Sequence, residues 1–490
     1  MRRVPLRLLL ALALLLSVVP GVSAASAAEE GVHSANLTHI KNIEYAGQHG
    51  GVKNYGTDIE FATINGREYA LGGTYRNGLQ ITDITDPENA TLVSRWDCAV
   101  AQGDVQVFQR DGRTIVAYAA DGIARETITT SNCYKEAKAL GFAFPTNYGT
   151  FFADITDPLN PQTVSFVAVP QGSHNQTVHP SGNFLYVSNS DLITSTAPAI
   201  EVFDISDLSK PVTLPELQLP FVPASLGSES HDITFNTAGT RAYSAALSQG
   251  VIIDTTEPAN PKIIKSFVDP TIQLWHQSDP FTLTAPDGSK RDFLIIEDEY
   301  AGAAGGPHCP SGGVHVYEVT GNLERNPVKV GYWNIDDLRP TPKPTGRCTA
   351  HVFDIHEDAK IMTMAFYNGG VRVIDLSGLV GYGLGNDTTL VGTPMREIAH
   401  YYFPNSDTWA AKTPKIDPVT GDFYLYGSDV ARGLDVYKFK GTGVAPGLAT
   451  AEANRSRGGG RWMSAREAAL TLPRANAAAT GYKPFCLLQA

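Results

Sequence analysis

Seven copies of one short pattern run through this chain and constrain its fold more than any other feature. Each copy opens on a glycine or alanine and most continue apolar-x-apolar-x-acid, often into a proline turn, the last carrying Lys438 in the acid's place. They read GLQITDITDP from Gly78, GTFFADITDP from Gly149, AIEVFDISD from Ala199, GVIIDTTEP from Gly250, GVHVYEVTG from Gly313, GVRVIDLSG from Gly370 and GLDVYKFKG from Gly433. A second mark, a turn residue plus Gly or Ala before a β-rich run, occurs at Asn65-Gly66, Asp111-Gly112, Ser181-Gly182, Ala238-Gly239, Asp287-Gly288, Asp358-Ala359 and Thr420-Gly421. Two independent marks with the same count make chance a poor explanation.

The unit is clearest over Ser230–Val268. Period-two patterning predicts strands at His231–Asn236, Arg241–Ala246, Val251–Asp254 and Lys262–Val268, rich in Ile, Val, Phe and Tyr and separated by turn residues. One four-stranded sheet cannot bury both faces alone. Repeats of this length therefore predict an all-β chain, a seven-bladed β-propeller of four-stranded blades. A fourth strand follows six of the units but not Gly433–Lys440, whereas an orphan strand, Leu37–Tyr45, lies near the N-terminus. The orphan is expected to close the ring as the outer strand of the last blade. A solenoid or tandem sandwiches would leave it unexplained.

The ends of the chain differ from the repeats. Arg2, Arg3 and Arg7 precede the apolar run Leu8–Val19 and a small-residue stretch to Ala28, so residues 1–28 read as a secretion signal. The expected location is secreted, or the exterior of the cell envelope. No later stretch is apolar enough to span a bilayer, so the mature chain is expected to be soluble, not an integral membrane protein, and a monomer. Losing the signal takes the formal charge from −12 to about −15, which argues against a nucleic-acid partner. The propeller is assigned to residues 29–440, and residues 441–490 to a Gly/Pro linker and a basic, weakly ordered tail.

Aligning the inner strands on their turn residue and stepping back eight positions gives Asp58, Asp104, His174, His231 and His351, with His276 at the equivalent start in blade five. Blade seven gives Thr413 or, with one insertion, Lys412. Innermost strands line a propeller's axis, so these residues are expected to face a common space. Three readings stay open: histidines bonded structurally to a neighbouring blade, a metal site on His174, His231, His276 and His351, or a polar site for an organic ligand with Asp58 and Asp104 among its binding residues. Neutral imidazoles suit one ion of copper, iron or zinc, with carboxylates completing the shell. Four ligands about one axis also hold iron in carotenoid-cleaving oxygenases, an analogy of geometry alone. His179, His308, His315, His356 and His400 fall outside the ring and read as surface or structural.

Strand order places the two-to-three loops and the blade-to-blade connections on the face where inner strands begin. The long insertions fall there: Ala120–Tyr148, Asn189–Pro198, Asp298–Gly312 and Asn334–Ala350. The cysteines fall there too, and pairs Cys98–Cys133 and Cys309–Cys348 are expected, with Cys486 unpaired. Glu297, Asp298 and Glu299 end a strand on the same face. They are either a solvated acidic strand end or a source of a ligand or general base, Glu299 or Glu297, with Arg347 and Lys343 as candidate partners.

The motifs DITDPENA, DITDPLNP, DISDLSKP and DTTEPANP resemble the LVIVD repeat. The order Trp275-His276, then Glu297-Asp298-Glu299 with Gly302–Cys309, then Cys348-Thr349-Ala350-His351 resembles exported bacterial members of that family. The resemblance covers nearly all of Leu37–Lys440 and implies a propeller presenting a site for a small molecule or for a cell-surface or protein partner. HNQTVHPSGNFLYVSN and LWHQSDPF resemble, over two short stretches, selenium-binding-protein-like thiol oxidases, and HPSGNFLYVSN also occurs in propeller lactonases. These imply the alternative: a metal-dependent thiol oxidase or a hydrolase working through the four axial histidines.

Overall fold

A computed structural model describes residues 31–48, 52–121, 128–146, 148–223, 225–300, 312–335, 348–381 and 395–441. The expected signal segment and basic tail lie outside the described residues, as do Cys309, Cys486, His308, Lys343 and Arg347.

Seven antiparallel sheets follow one another along the chain, each built on its own inner strand: Gly56–Ile64, Gln102–Arg110, Ser173–Val178, Asp232–Phe235, Trp275–Thr284, His351–His356 and Thr408–Lys412. The chain is a seven-bladed β-propeller. Leu37–Ile43 pairs with Gly433–Phe439 and supplies the outer strand of blade seven, the closure expected from the orphan strand. In the repeat Ser230–Val268, the strands span Asp232–Phe235, Arg241–Ala245, Gly250–Asp254 and Lys262–Phe267, within a residue or so of expectation.

Two features were not foreseen. Val32–His33 adds a fifth strand to blade six by pairing with Tyr402 and Tyr401. The outer strand of blade three is broken into Val212–Thr213 and Leu217–Gln218, both paired with Ala199–Asp204. Pro215 sits in the gap and has no N–H to give the ladder.

The middle strands are buried along almost their whole length, Arg113–Ala120 and Gly149–Asp154 among them, because each sheet is covered on both faces by its neighbours. One cluster joins Leu71, Leu79 and Trp96 of blade one to Val116, Tyr118 and Phe151 of blade two. The repeated D-x-[ST] ending has a local cause. The first aspartate accepts the backbone N–H two residues on, from Thr85 to Asp83, Thr156 to Asp154, Ser206 to Asp204, Thr256 to Asp254 and Ser377 to Asp375. Each is an Asx-turn that ends the third strand and starts the connection to the fourth. The Thr85 and Thr156 hydroxyls then accept N–H groups of Glu68 and Thr114, pinning that connection to the turn beside it.

Cys98 and Cys133 form a disulfide, Cα to Cα 5.1 Å, tying the connection after blade one to the insertion of blade two. Cys133 lies on a helix, Asn132–Ala139, where the sequence reading placed only a loop. The helix is held by Glu136, which accepts the Thr163 hydroxyl at 2.6 Å. Cys348 is buried and disulfide-bonded.

Candidate functional site: the axial histidine cluster

The inner strands share a local device. In six of the seven blades the register with the second strand shifts at the strand's start, between Gly56 and Ile59, Gln102 and Val105, Ser173 and Asn175, Trp275 and Ser278, His351 and Phe353, and Thr408 and Ala410. A bulge re-aims the side chains beside it. His174 and His276 lie inside these shifts and His351 at the edge of one. His231 stands one residue before its strand, its N–H bonded to the Ala245 carbonyl at 2.7 Å.

The structure brings the four histidines together. Consecutive ring centroids are 4.4 Å apart for His174–His231, 4.0 Å for His231–His276 and 4.5 Å for His276–His351. All four rings are buried and line one axial cavity of about 260 Å³. Each Nδ1 is held from outside: His174 by Asp121 at 2.9 Å, His231 by the His276 carbonyl at 3.0 Å, His276 by Glu297 at 2.5 Å and His351 by the Trp409 carbonyl at 2.5 Å. A carbonyl can only accept, so His231 and His351 carry their proton on Nδ1, and the neutral rings present bare Nε2 atoms. Three of these contacts cross to a neighbouring blade. The structural role expected of inner-strand histidines is thus filled by one ring nitrogen, which leaves the other for the axis.

The inner nitrogens are unusually placed. Nε2 of His174 and Nε2 of His231 stand 2.9 Å apart. His351 Nε2 is buried without a hydrogen-bond partner among the described residues. Glu299 reaches the same point, 3.6 Å from His276 Nε2 and 3.9 Å from His351 Nε2, and accepts the Tyr367 hydroxyl at 2.7 Å. Donor atoms of His276, Glu299 and His351 all lie within 4.8 Å of one another. Burial, and then the proximity of the other rings, pushes the His231 and His276 imidazoles well below their ordinary range. Burial likewise takes His351 to about 3, so these rings are held neutral.

The acidic strand end is buried, not solvated: Glu297, Asp298 and Glu299 are 0%, 3% and 0% exposed. Burial first, and then Glu299 and Asp298, pushes Glu297 well above the carboxylate range, while burial takes Asp298 to about 7. Asp298 is turned to a structural task, accepting N–H groups of Leu274 and Gln273.

Asp58 and Asp104 line the same cavity. Asp58 pairs with Lys412 at 2.9 Å, and Asp104 accepts the Gln176 backbone N–H at 3.1 Å and its side-chain amide at 2.8 Å. In blade seven Lys412, not Thr413, faces the cavity, and Trp409 stands beside the histidines, 4.5 Å ring to ring from His351. Thr413 turns its hydroxyl to the Lys415 carbonyl.

Sequence reasoning missed Asp121, Tyr367 and Trp409. For Asp121 a signal existed. Ala120 pairs with Gln102 as Asp298 pairs with Trp275, so Asp121 occupies in blade two the place of Glu299 in blade five. Of the remaining histidines, His179 bridges Ser181 and the Gly239 carbonyl and His400 contacts Glu397, both structural.

No family model matches the chain, and no curated protein sequence does. Among solved structures it is similar to the β-propeller domain of Cps50 (Swd1) from Myceliophteria thermophila. That match has 12% identity and a TM-score of 0.48, and it covers 79% of this chain and 98% of that one. The likeness is one of fold.

Proposed function

We propose that the propeller axis holds one transition-metal ion on Nε2 of His174, His231, His276 and His351, with Glu299 beside them as an oxygen donor, and that the chain acts on a small molecule admitted to the adjoining cavity. The observation that carries this is the pair of Nε2 atoms 2.9 Å apart on two rings whose Nδ1 atoms are both engaged elsewhere. Two lone pairs facing at that distance repel unless a proton or a cation lies between them. A single cation accepting a lone pair from each ring would remove that repulsion.

The outer contacts support the same reading. A metal-binding histidine ordinarily donates its second nitrogen to a carboxylate or carbonyl, which fixes the tautomer and the ring plane. Here all four histidines do so. A set of neutral imidazoles with one carboxylate suits copper, iron(II) or zinc, and a bound ion would supply Lewis-acid or redox chemistry. The protein's own part is to keep the His231, His276 and His351 rings neutral, to orient Glu299 through Tyr367, and to restrict water to a cavity of about 260 Å³. A metal-free binding propeller of the LVIVD type is the rival, in which a proton shared by His174 and His231 replaces the ion.

Elemental analysis of protein purified without added metal separates the two. About one transition metal per chain, lost in a His231→Ala/His276→Ala double variant, is the expected result. Absence of metal at every loading, with the wild-type chain folded, overturns the proposal.

A further inference from the structure

Beside the histidines, the cavity wall carries a set of acidic residues. Asp58, Glu60, Asp104, Asp232, Asp279 and Asp354 line it, and Lys412 is the cation among them. Lys412 Nζ is spent on two of them, 2.9 Å from Asp58 and 2.7 Å from Glu60. Asp104, Asp232 and Asp279 have no ion pair among the described residues, and Asp354 meets only His356, at 3.3 Å. All four are at least partly buried, and Asp279 accepts the Thr234 hydroxyl at 2.7 Å and the Gln277 amide at 3.0 Å, which fixes its oxygens at the wall. Phe61, Phe353 and Trp409 supply aromatic surface beside them.

We infer that this cavity takes a small organic cation, a primary amine or diamine, with its ammonium among the four carboxylates that form no direct ion pair with Lys412. The inference deepens the reading above by naming the substrate class of the same site, and it rests on that reading only for what happens at the histidine end. Two observations beyond the acidic residues point to a ligand. His351 Nε2, fully buried and without a hydrogen-bond partner among the described residues, stands on the wall of the same cavity. And the protein already places one ammonium here, so Lys412 displays the kind of carboxylate coordination a ligand's ammonium would meet. Carboxylates crowded in a space of low polarity are pushed toward their neutral forms. Burial, then Asp58 and Asp232, takes Asp104 well above its ordinary range, and burial takes Asp279 to about 6. An arriving ammonium reverses that, whereas a carboxylate or phosphate substrate would meet repulsion from the same ring. The volume suits a few-carbon molecule rather than a polymer.

The test is calorimetric titration of the wild-type chain, as purified and after chelation, with 1,4-diaminobutane, and with 1,4-butanediol and succinate as neutral and anionic counterparts. The amine is expected to bind at least tenfold more tightly than either counterpart. Asp104→Asn and Asp354→Asn are each expected to weaken it several-fold, while circular dichroism shows the blades intact. Equal binding of amine and diol, or no amine binding at millimolar concentration, overturns the inference. A failed metal reading looks different: amine binding persists in a chain that holds no metal.

Discussion

His174 and His231 meet Nε2 to Nε2 at 2.9 Å, although each starts the inner strand of a different blade and 57 positions separate them in the chain. Neither histidine's immediate neighbours in sequence announce the contact. It exists because seven sheets are set radially and the first residues of their inner strands converge. The outer nitrogens are engaged by Asp121 and by a backbone carbonyl, so the pair is aimed as well as close.

Asp121 is expected to act through His174. Replacing it by Asn should lower affinity for a divalent transition metal by about 10–100-fold, the usual cost of losing an outer-shell partner, without unfolding the propeller. Competitive titration against a chromophoric chelator checks this. Unchanged affinity would mean that His174 is not a ligand.

Glu299 is expected to behave differently from Glu297, although both are buried. Glu299→Gln should shift the visible spectrum of a cobalt(II)-loaded chain, since it removes a charged oxygen from beside the ion. Tyr367→Phe should shift it less, because it only removes one hydrogen bond to the Glu299 carboxylate. Superimposable spectra for all three proteins would exclude Glu299 from the site.

The closing strand should carry a large share of the ring's stability. Leu37 is fully buried where Leu37–Ile43 meets the last repeat, packed with Phe439 and Phe423. Leu37→Ala should cost about 2–5 kcal/mol, read as a lower midpoint in urea. The Cys98–Cys133 bridge closes a loop of 35 residues, and removing it by paired Ala substitution should cost about 3–4 kcal/mol in the same assay.

Asp269 supplies a pH test away from the axis. Burial alone would raise its carboxyl, but Lys329 at 2.9 Å and the Thr271 and Tyr317 hydroxyls prevail and hold it well below the carboxylate range. A group depressed on folding contributes stability above its unfolded value, about 3.9, and that stability is lost as pH falls below it toward the folded value. Asp269→Asn should therefore cost about 3–5 kcal/mol at pH 7, since it leaves Lys329 without its ion pair, and the gap to wild type should narrow below about pH 4. A gap constant from pH 7 to pH 3 would contradict the ion pair.

Much of this protein could be read before any coordinates. The Asx-turn aspartates recur because each third strand must end in the same way, and the turn glycines recur because the first two strands must be joined tightly. That local chemistry repeats with the fold and sets both the number of blades and the rank of His174, His231, His276 and His351 along their strands. The missing last strand after Gly433–Phe439 likewise told where Leu37 belongs.

What the chain order could not set is direction about the axis. Asp58 and Asp104 share an alignment column with the histidines, yet they are engaged by Lys412 and Gln176, and Lys412 lines the cavity where Thr413 bonds the Lys415 carbonyl. Asp121, Tyr367 and Trp409 join the site from positions that only become neighbours of a histidine once blades are packed side by side. The period of a repeat is written in local turns, because those are satisfied within a few residues. Which nitrogen faces the axis is decided by a one-residue bulge and by contacts across blades, and these exist only in the closed ring.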